Sequence, residues 1–526
     1  MVRGEQVNFS LPERLNLGAY FLDVNLESGR GEKTAIYFKD GATSFRELWL
    51  LTNRIGNVLK ELGVEPENRV LLILEDCPEW VATWLAAMKL GAVGTHAYTY
   101  LRPNDYAYLL DLVRPKVVVA DCRTLGRVRE ACAGLKYPKT ILVAGESVPE
   151  LRGGEFGLRR LLACADEHLE VAPTHRDDIA FWNFSGGTTG KPKGVPHRHG
   201  DSVVSYASFN HFLGYTGDDI VLNVPKLFFH YARDNGMLFA LRSGAAVVLL
   251  EEKTTAALIF ELIRKHRVTV LLNVPTMMRA MLQTPEHERA DLSCVRRNFS
   301  SGEVLSRQLY EEWVHTFGTE VIDRLGSAES GVGYLCNRPG AVAPGSSGTV
   351  TPLAEIKLVD ENGLEVPRGL PGVLTTRSEA SGTHYVRDHE KSKATFLGNG
   401  WVNTGDLFLQ DERDHFWHVG RANDMIKVSG VWVSPLEIEH CLHESPGVRE
   451  CAALGIKNAD GLMTIRAFVV LNDGAAASQE TLDALKQYCK KRLGPQKFPR
   501  TIQVVDDLPK TGQGKIDRRL LRERAI

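Results

Sequence analysis

Four glycines, two threonines and two lysines fall within Ser185-Gly186-Gly187-Thr188-Thr189-Gly190-Lys191-Pro192-Lys193-Gly194, directly after the apolar run Ile179-Ala180-Phe181-Trp182. Glycine lets a backbone turn and approach a ligand closely, while hydroxyls and ammonium groups offer donors to anionic oxygens. The chemistry these residues can do together is the holding of phosphate. A Walker A loop requires Gly, four residues, then Gly-Lys and a hydroxyl that holds Mg²⁺. Here Ser185 stands at the first glycine position and Pro192 at the hydroxyl position. Proline has no N–H and disfavours helical geometry in the residue before it, so this loop must hold phosphate without a helix N-terminus behind it. Taken alone, the loop reads equally well as a solvated turn.

Further groups of the same kind follow at wide spacing. Phe299-Ser300-Ser301-Gly302-Glu303 and Gly326-Ser327-Ala328-Glu329 each end an apolar run. Thr404-Gly405-Asp406, then Gly420-Arg421-Ala422-Asn423-Asp424-Met425-Ile426-Lys427, then Lys515 on a Gly- and Lys-rich terminal loop complete the series. In this order and at these separations they resemble the adenylate-forming family of acyl-CoA ligases, adenylation domains and luciferase, from about Ser44 to Arg519. Lys226-Leu227-Phe228-Phe229-His230-Tyr231 is most similar to the benzoate-CoA ligase branch.

The resemblance implies that ATP, Mg²⁺ and coenzyme A are used to turn an aryl carboxylate into a thioester. A carboxylate is a poor partner in acyl transfer until it attacks the α-phosphorus of ATP, releases pyrophosphate and becomes a mixed anhydride. Fixed positive charge where the phosphates repel one another lowers that barrier. On this reading Ser185, Gly186, Thr188, Thr189, Gly190, Lys191 and Lys193 hold the phosphates and Glu329 holds Mg²⁺. One carboxylate suffices for Mg²⁺ when phosphate oxygens and water complete the shell. Gly302, Glu303 and Asp323 border adenine, Ser327 lies beside the α-phosphate, and Asp406 with Arg421 serves the ribose. A carboxylate suits two ribose hydroxyls because it only accepts.

Lys515, Thr189 and Glu329 form the implied catalytic set, Lys515 reaching both the carboxylate and the α-phosphate. Asp424 is the implied hinge whose rotation withdraws Lys515 and brings Ser429, Gly430 and Val431 forward to line a CoA tunnel. The acid pocket is implied at Phe184, His230, Tyr231, Ser301, Gly326 and Ser327. The acids expected are benzoate, 2-aminobenzoate (anthranilate) or a hydroxybenzoate; His230, bulkier and more polar than plain benzoate needs, can exchange a hydrogen bond with a ring substituent and turns the choice to an ortho-substituted acid such as 2-aminobenzoate. Ala328 departs from the threonine usual in the family; Ser327 or a water must take over that α-phosphate contact.

The elements that must position these residues are legible from hydrophobic period. Between Leu17 and Gly145, strands such as Val70-Leu71-Leu72-Ile73-Leu74 alternate with helices. One opens at the capping box Ser44-Phe45-Arg46-Glu47 and runs to about Leu62. This third carries no chemistry of its own on the sequence reading. The alternation returns from Ala245 to Leu325, giving parallel βα units covered by helices. From Gly348 the runs become shorter and β-rich. After Asp424 a compact unit begins, with a helix expected at Ser434-Pro435-Leu436-Glu437 and another from Gln479 to Leu493. The expected fold is α/β, with a large N-terminal domain of βα-layered subdomains plus a β-rich subdomain over residues 1–423. A small mobile α+β domain is expected over 424–526.

Composition bounds the partners. Sixty-three Lys and Arg against 65 Asp and Glu leave a formal charge of -2, which argues against a surface dominated by nucleic-acid binding. Nine cysteines without a C-x-x-C pair read as reduced thiols, and the N-terminus lacks an apolar signal core. The expectation is a cytoplasmic protein with no nucleic-acid or membrane partner. His197/His199 and His440/His443 lack further spaced ligands and read as structural histidines. Two other classes stay open: an adenylation enzyme loading a carrier protein, and an ATP-hydrolysing regulatory switch. That no carrier follows Lys515 before Ile526 inclines the reading to free CoA, and AMP with pyrophosphate, against ADP with phosphate, separates ligation from the switch.

Overall fold

The structure is a computed structural model. It describes residues 1–526 apart from 139, 146–147, 187–190, 429–430, 446, 458–462, 473–476, 496, 511–515 and 525–526. The chain divides into two compact units, one of Val2–Ile356 with Thr376–Val402, the other of Met1, Lys357–Thr375 and Asn403–Ile526.

Among the described residues the larger unit holds two sheets. In the seven-stranded sheet, Arg69–Ile73 lies between Val93–His96 and Val117–Asp121, parallel to both. Its near-continuous apolar burial is what a strand covered on both faces requires. At one edge, Ile179–Ser185 turns back antiparallel as Lys193–Arg198. A strand, not a helix, therefore follows Pro192, in keeping with the missing proline N–H.

The nine-stranded sheet carries Val270–Asn273, Arg297–Ser300 and Ile322–Gly326 side by side and parallel, then Gly333–Cys336 antiparallel. Ligand-binding crevices in open α/β sheets form at the carboxyl ends of parallel strands, and Ser301, Gly302 and Ser327 follow directly on two such ends. The hairpin Thr34–Phe38 and Gly41–Ser44 joins this second sheet through Val247↔Ile36, although it precedes every strand of the first. The two βα blocks are thus not two self-contained stretches of chain.

The helix Phe45–Glu61 starts as its capping box demands: Ser44 Oγ accepts from Glu47 N at 3.1 Å and Ser44 N donates to Glu47 Oε2 at 2.7 Å. Pro78–Lys89 is buried on nearly every face, the signature of a core helix. Its Trp80 and Trp84, one turn apart, stack at 5.6 Å. Tyr231–Leu238 is a π-helix, which no sequence period announced. Such turns concentrate at functional sites. Gly236 lets it pack: a Cβ there would lie 1.7 Å from Asn223 Oδ1.

In the smaller unit, Asp406 of the strand Trp401–Gln410 lies opposite Arg421 of the antiparallel strand Phe416–Arg421. Val448–Lys457, Met463–Leu471 and Thr501–Val504 form a three-stranded sheet against which Pro435–His443 and Gln479–Leu493 pack through a core of Ile438, Leu442, Val469 and Leu485. Ser434 precedes a helix as expected but makes no side-chain cap. Glu437 turns away to Lys497, 2.9 Å from its Nζ.

Candidate active site

At the phosphate end, Ser185 pairs with Lys193 and Phe184 with Gly194 across the hairpin. Gly186 and Lys191 are exposed, while Thr188, Thr189 and Gly190 lie outside the described residues. Lys191 Nζ stands 4.9 Å over the Tyr108 ring, and the Tyr108 hydroxyl donates to the Pro192 carbonyl at 3.1 Å. Lys193 Nζ stands 4.2 Å over the Tyr385 ring, whose hydroxyl donates to Glu329 Oε1 at 2.7 Å. Burial, with the Glu329 carboxylate beside it, pushes the Tyr385 phenol above its ordinary range, so it keeps the proton it donates. One ring thus joins a lysine of the loop to the carboxylate expected to hold metal.

The turn that carries Glu329 is fixed from three sides. Ser327 and Ser330 exchange hydrogen bonds, Ser327 N to Ser330 Oγ at 3.2 Å and Ser330 N to Ser327 Oγ at 3.1 Å. Gly382 N donates to the Glu329 carbonyl at 2.9 Å. His197 spans the Ala328 carbonyl, 2.7 Å from Nε2, and the Asp201 carboxylate, 2.9 Å from Nδ1. His199 accepts from Leu17 N at 3.0 Å and is held down to about 4 by burial. Both histidines are structural, as their spacing implied. Among the described residues no three His, Cys, Asp or Glu side chains converge on an ion. The donor set at this turn is one carboxylate with an oxygen to spare, which fits Mg²⁺ when phosphates supply the remaining ligands.

Neighbouring strand ends supply the other expected contacts of the larger unit. Gly302 has φ +86 with nothing near a hypothetical Cβ, and exposed Glu303 accepts the Thr276 hydroxyl at 3.1 Å. Asp323 is buried beside Ser300, and desolvation lifts its carboxyl to about 7 against the pull of the Ser300 hydroxyl and the Arg324 N–H. Ser301 is buried and Gly326 pairs with Gly333.

At the acid end, His230 precedes the π-helix and Tyr231 opens it. Burial holds the His230 imidazole down to about 4, with Arg233 and Arg324 acting in the same direction and Asp234 opposing. The ring is neutral at physiological pH. The Tyr231 phenol is pushed well up by burial, and its hydroxyl has no hydrogen-bond partner among the described residues. Phe184 meets His96 edge-on at 5.9 Å.

The first third of the chain contributes more than the sequence suggested. Besides Tyr108, Asp76 fixes the pocket segment by accepting from Leu227 N at 3.1 Å and 3.2 Å. Trp84 lies 4.7 Å from the Arg233 guanidinium. These residues act through tertiary contact alone. The one local signal was the acidic pair Glu75-Asp76 at the end of an apolar strand.

In the smaller unit, Asp406 is oriented by Arg421 Nε at 2.9 Å and His418 Nε2 at 3.4 Å, both on Oδ1. Arg421 also donates to the Thr404 carbonyl at 3.0 Å. Asp424 closes a single 3₁₀ turn, 3.6 Å from Arg522 Nη2. Val431 begins the strand Val431–Val433, whereas Ser429, Gly430 and Lys515 lie outside the described residues.

Residues 25–386 match the AMP-binding enzyme family, and residues 437–515 match the AMP-binding enzyme C-terminal domain. The chain is 36% identical over 515 residues to the benzoate–CoA ligase of Thauera aromatica, covering 97% of this chain and 96% of the relative. Among solved structures it is similar to the anthranilate CoA ligase AuaEII in complex with anthranoyl-AMP, with a TM-score of 0.91 at 34% identity over 98% of each chain. It is also similar to a benzoate CoA ligase from Burkholderia xenovorans LB400, with a TM-score of 0.87 at 35% identity over 96% of this chain and 99% of that one.

Proposed function

The chain belongs to the AMP-binding enzyme family, and from that premise we propose that it is an ATP-dependent aryl-carboxylate-CoA ligase, an AMP-forming acid-thiol ligase. It adenylates a benzoate-type acid with release of pyrophosphate and then passes the acyl group to CoA with release of AMP. The relatives named for benzoate and the neighbour holding anthranoyl-AMP support benzoate, hydroxybenzoates and 2-aminobenzoate as the acids to test. The single observation that carries the reading is the Tyr385 ring, which ties Lys193 of the glycine loop to Glu329.

On this reading the loop residues Ser185 to Lys193 grip the phosphates, and Glu329 would hold a Mg²⁺ ion, which would supply neutralising charge to the phosphates. Tyr385 keeps one oxygen of Glu329 occupied and so aims the other. His197 and Gly382 hold the turn so that aiming costs no rearrangement during reaction. Ser327 has its hydroxyl committed to Ser330, which makes a water the better substitute for the threonine hydroxyl that Ala328 lacks. Asp406 and Arg421 serve the ribose, Gly302, Glu303 and Asp323 the adenine, and Lys515 the reacting carboxylate.

The two half-reactions are served by a domain of residues 424–526 moving about Asp424, exchanging Lys515 for the Ser429-Gly430-Val431 segment. The acceptor is free CoA rather than a carrier protein, and the site of action is the cytoplasm. No helix among the described residues is long and apolar enough to cross a membrane. Acid-dependent exchange of labelled pyrophosphate into ATP tests the reading: exchange with benzoates supports it, and exchange with aliphatic acids alone overturns the aryl assignment.

A further inference from the structure

Two guanidinium groups are buried beside Tyr231, and only one is neutralised. Arg233 is fully buried with its Nε 2.7 Å from Asp234 Oδ1, sandwiched between Trp84 at 4.7 Å and Phe181 at 4.4 Å. The second Asp234 oxygen accepts the Ser202 hydroxyl at 3.3 Å. Arg324 is 5% exposed and makes no ion pair among the described residues. Its Nη1 donates to the side-chain oxygen of Asn235, a neutral amide that in turn donates to the Tyr231 carbonyl at 3.0 Å. Its Cζ lies 5.1 Å over Phe209, and its Nε has no hydrogen-bond partner among the described residues.

The ionisable groups facing Arg324 are Cys336, Tyr231, Tyr215 and, least of all, Asp234. Burial keeps both phenols and the Cys336 thiol protonated, the thiol pushed up to about 12. Apart from the carboxylate Arg233 already uses, none of these groups is negative among the described residues. A buried charge left without a counter-charge is strongly destabilising, so its retention calls for an anionic partner.

The position of Arg324 points to where that partner sits. Arg324 lies two residues before Gly326 on the strand Ile322–Gly326, and Gly326 pairs with Gly333. A Cβ on Gly333, the strand partner of Gly326, would fall 2.3 Å from Arg324 Nε and 2.6 Å from Cζ. Glycine at 333 is what lets the guanidinium lie against the strand partner of Gly326, a residue expected in the acid pocket together with Tyr231.

We propose that Arg324 is a specificity residue that pairs with a second oxygen anion on the substrate ring, so that the preferred acid is a benzoate carrying a further carboxylate. This rests on the aryl-CoA ligase reading above. The reacting carboxylate attacks the α-phosphorus and pyrophosphate departs; CoA thiol then adds at the carbonyl, AMP leaves and the thiol proton is released. The other carboxylate takes no part in bond making and is held by the guanidinium, whose planar fork matches its two oxygens.

The test is pyrophosphate exchange by the full chain with benzoate, 2-aminobenzoate, hydroxybenzoates and the three benzenedicarboxylates, using wild type, Arg324→Gln and Arg324→Lys. One dicarboxylate isomer is expected to exceed benzoate in kcat/KM by about 100-fold, the discrimination a site gains when a buried polar group would otherwise go unpaired. Arg324→Gln erases that margin and Arg324→Lys, which keeps the charge without the fork, retains part of it. Wild type preferring benzoate or a neutral substituent over every dicarboxylate overturns the proposal, as does an equal loss for all acids in Arg324→Gln. The wild-type panel decides even if neither variant folds. Exchange with aliphatic acids alone instead removes the ligase reading on which the proposal stands.

Discussion

At the phosphate end of the larger unit, cations sit near water: Lys191 is exposed, and Lys193 lies on the hairpin over an aromatic face. At the expected acid end, Arg233 and Arg324 are buried and depend on a π-helix, a glycine and residues from three other segments. A solvated charge needs little company, so a phosphate cradle can be built from ten consecutive residues. A desolvated charge needs partners fixed in space, so the surroundings of Arg233 and Arg324 are assembled by packing. The two ends therefore fail differently when altered.

The largest effect is expected at the phosphate end. Glu329→Ala removes the carboxylate that fits Mg²⁺, and the adenylation rate should fall by about 10²- to 10³-fold, the scale of losing one preorganised electrostatic contact. Pyrophosphate exchange measures it, and the KM for the acid should stay nearly constant. A loss confined to acid KM would erase the division between the two ends.

Gly333→Val attacks the other end. Its Cβ would collide with the Arg324 guanidinium, and overpacking of a filled core should lower kcat/KM for the acid by about 10- to 100-fold. The KM for ATP is the control. An equal rise in both would mean that the ends are not separable.

The apolar run before the glycine-rich segment, the Ser44 capping box and the order of the later motifs were legible in the sequence because each rests on local chemistry: a charge, a cap, a period; the strand Lys193–Arg198 after that segment was not. Ser434 shows the limit even there, since its side chain does not cap and Glu437 goes to Lys497. What the sequence hid lies almost wholly at the acid end. Nothing near Arg324 announces that Gly333 makes room for it, and nothing near Trp84 announces Arg233. Tyr385 carries no motif, yet it joins Lys193 to Glu329. The hairpin Thr34–Phe38/Gly41–Ser44 joins the second sheet for the same reason, its place being chosen by parallel pairing with Ala246–Leu249.

Tyr385→Phe sharpens the comparison with a smaller change. The ring stays under Lys193 while the hydrogen bond to Glu329 is lost, which should lower the adenylation rate by about 5- to 10-fold. The Mg²⁺ concentration giving half-maximal rate should rise. An unchanged Mg²⁺ dependence would show that the hydroxyl does not aim the carboxylate.

The smallest effect concerns stability against pH. His230 is held near 4 in the folded chain, below the value of about 6.5 in an unfolded one, so the unfolded chain takes up the proton first. Its contribution is whole above that value and is lost as pH falls toward 4. Asp323, held up to about 7, works oppositely, because the folded chain then binds the proton more tightly and gains stability on acidification. In Tm measured from pH 4 to 8, His230→Asn should flatten the acid limb and Asp323→Asn should steepen it. Shifts of the opposite sign would contradict the burial of both groups.

Product analysis after incubating the chain with ATP, Mg²⁺, CoA and each acid of the panel tests aryl-CoA ligation most directly. The expected result is an aryl-CoA thioester with AMP and pyrophosphate in equal amounts. ADP with phosphate and no thioester would contradict it.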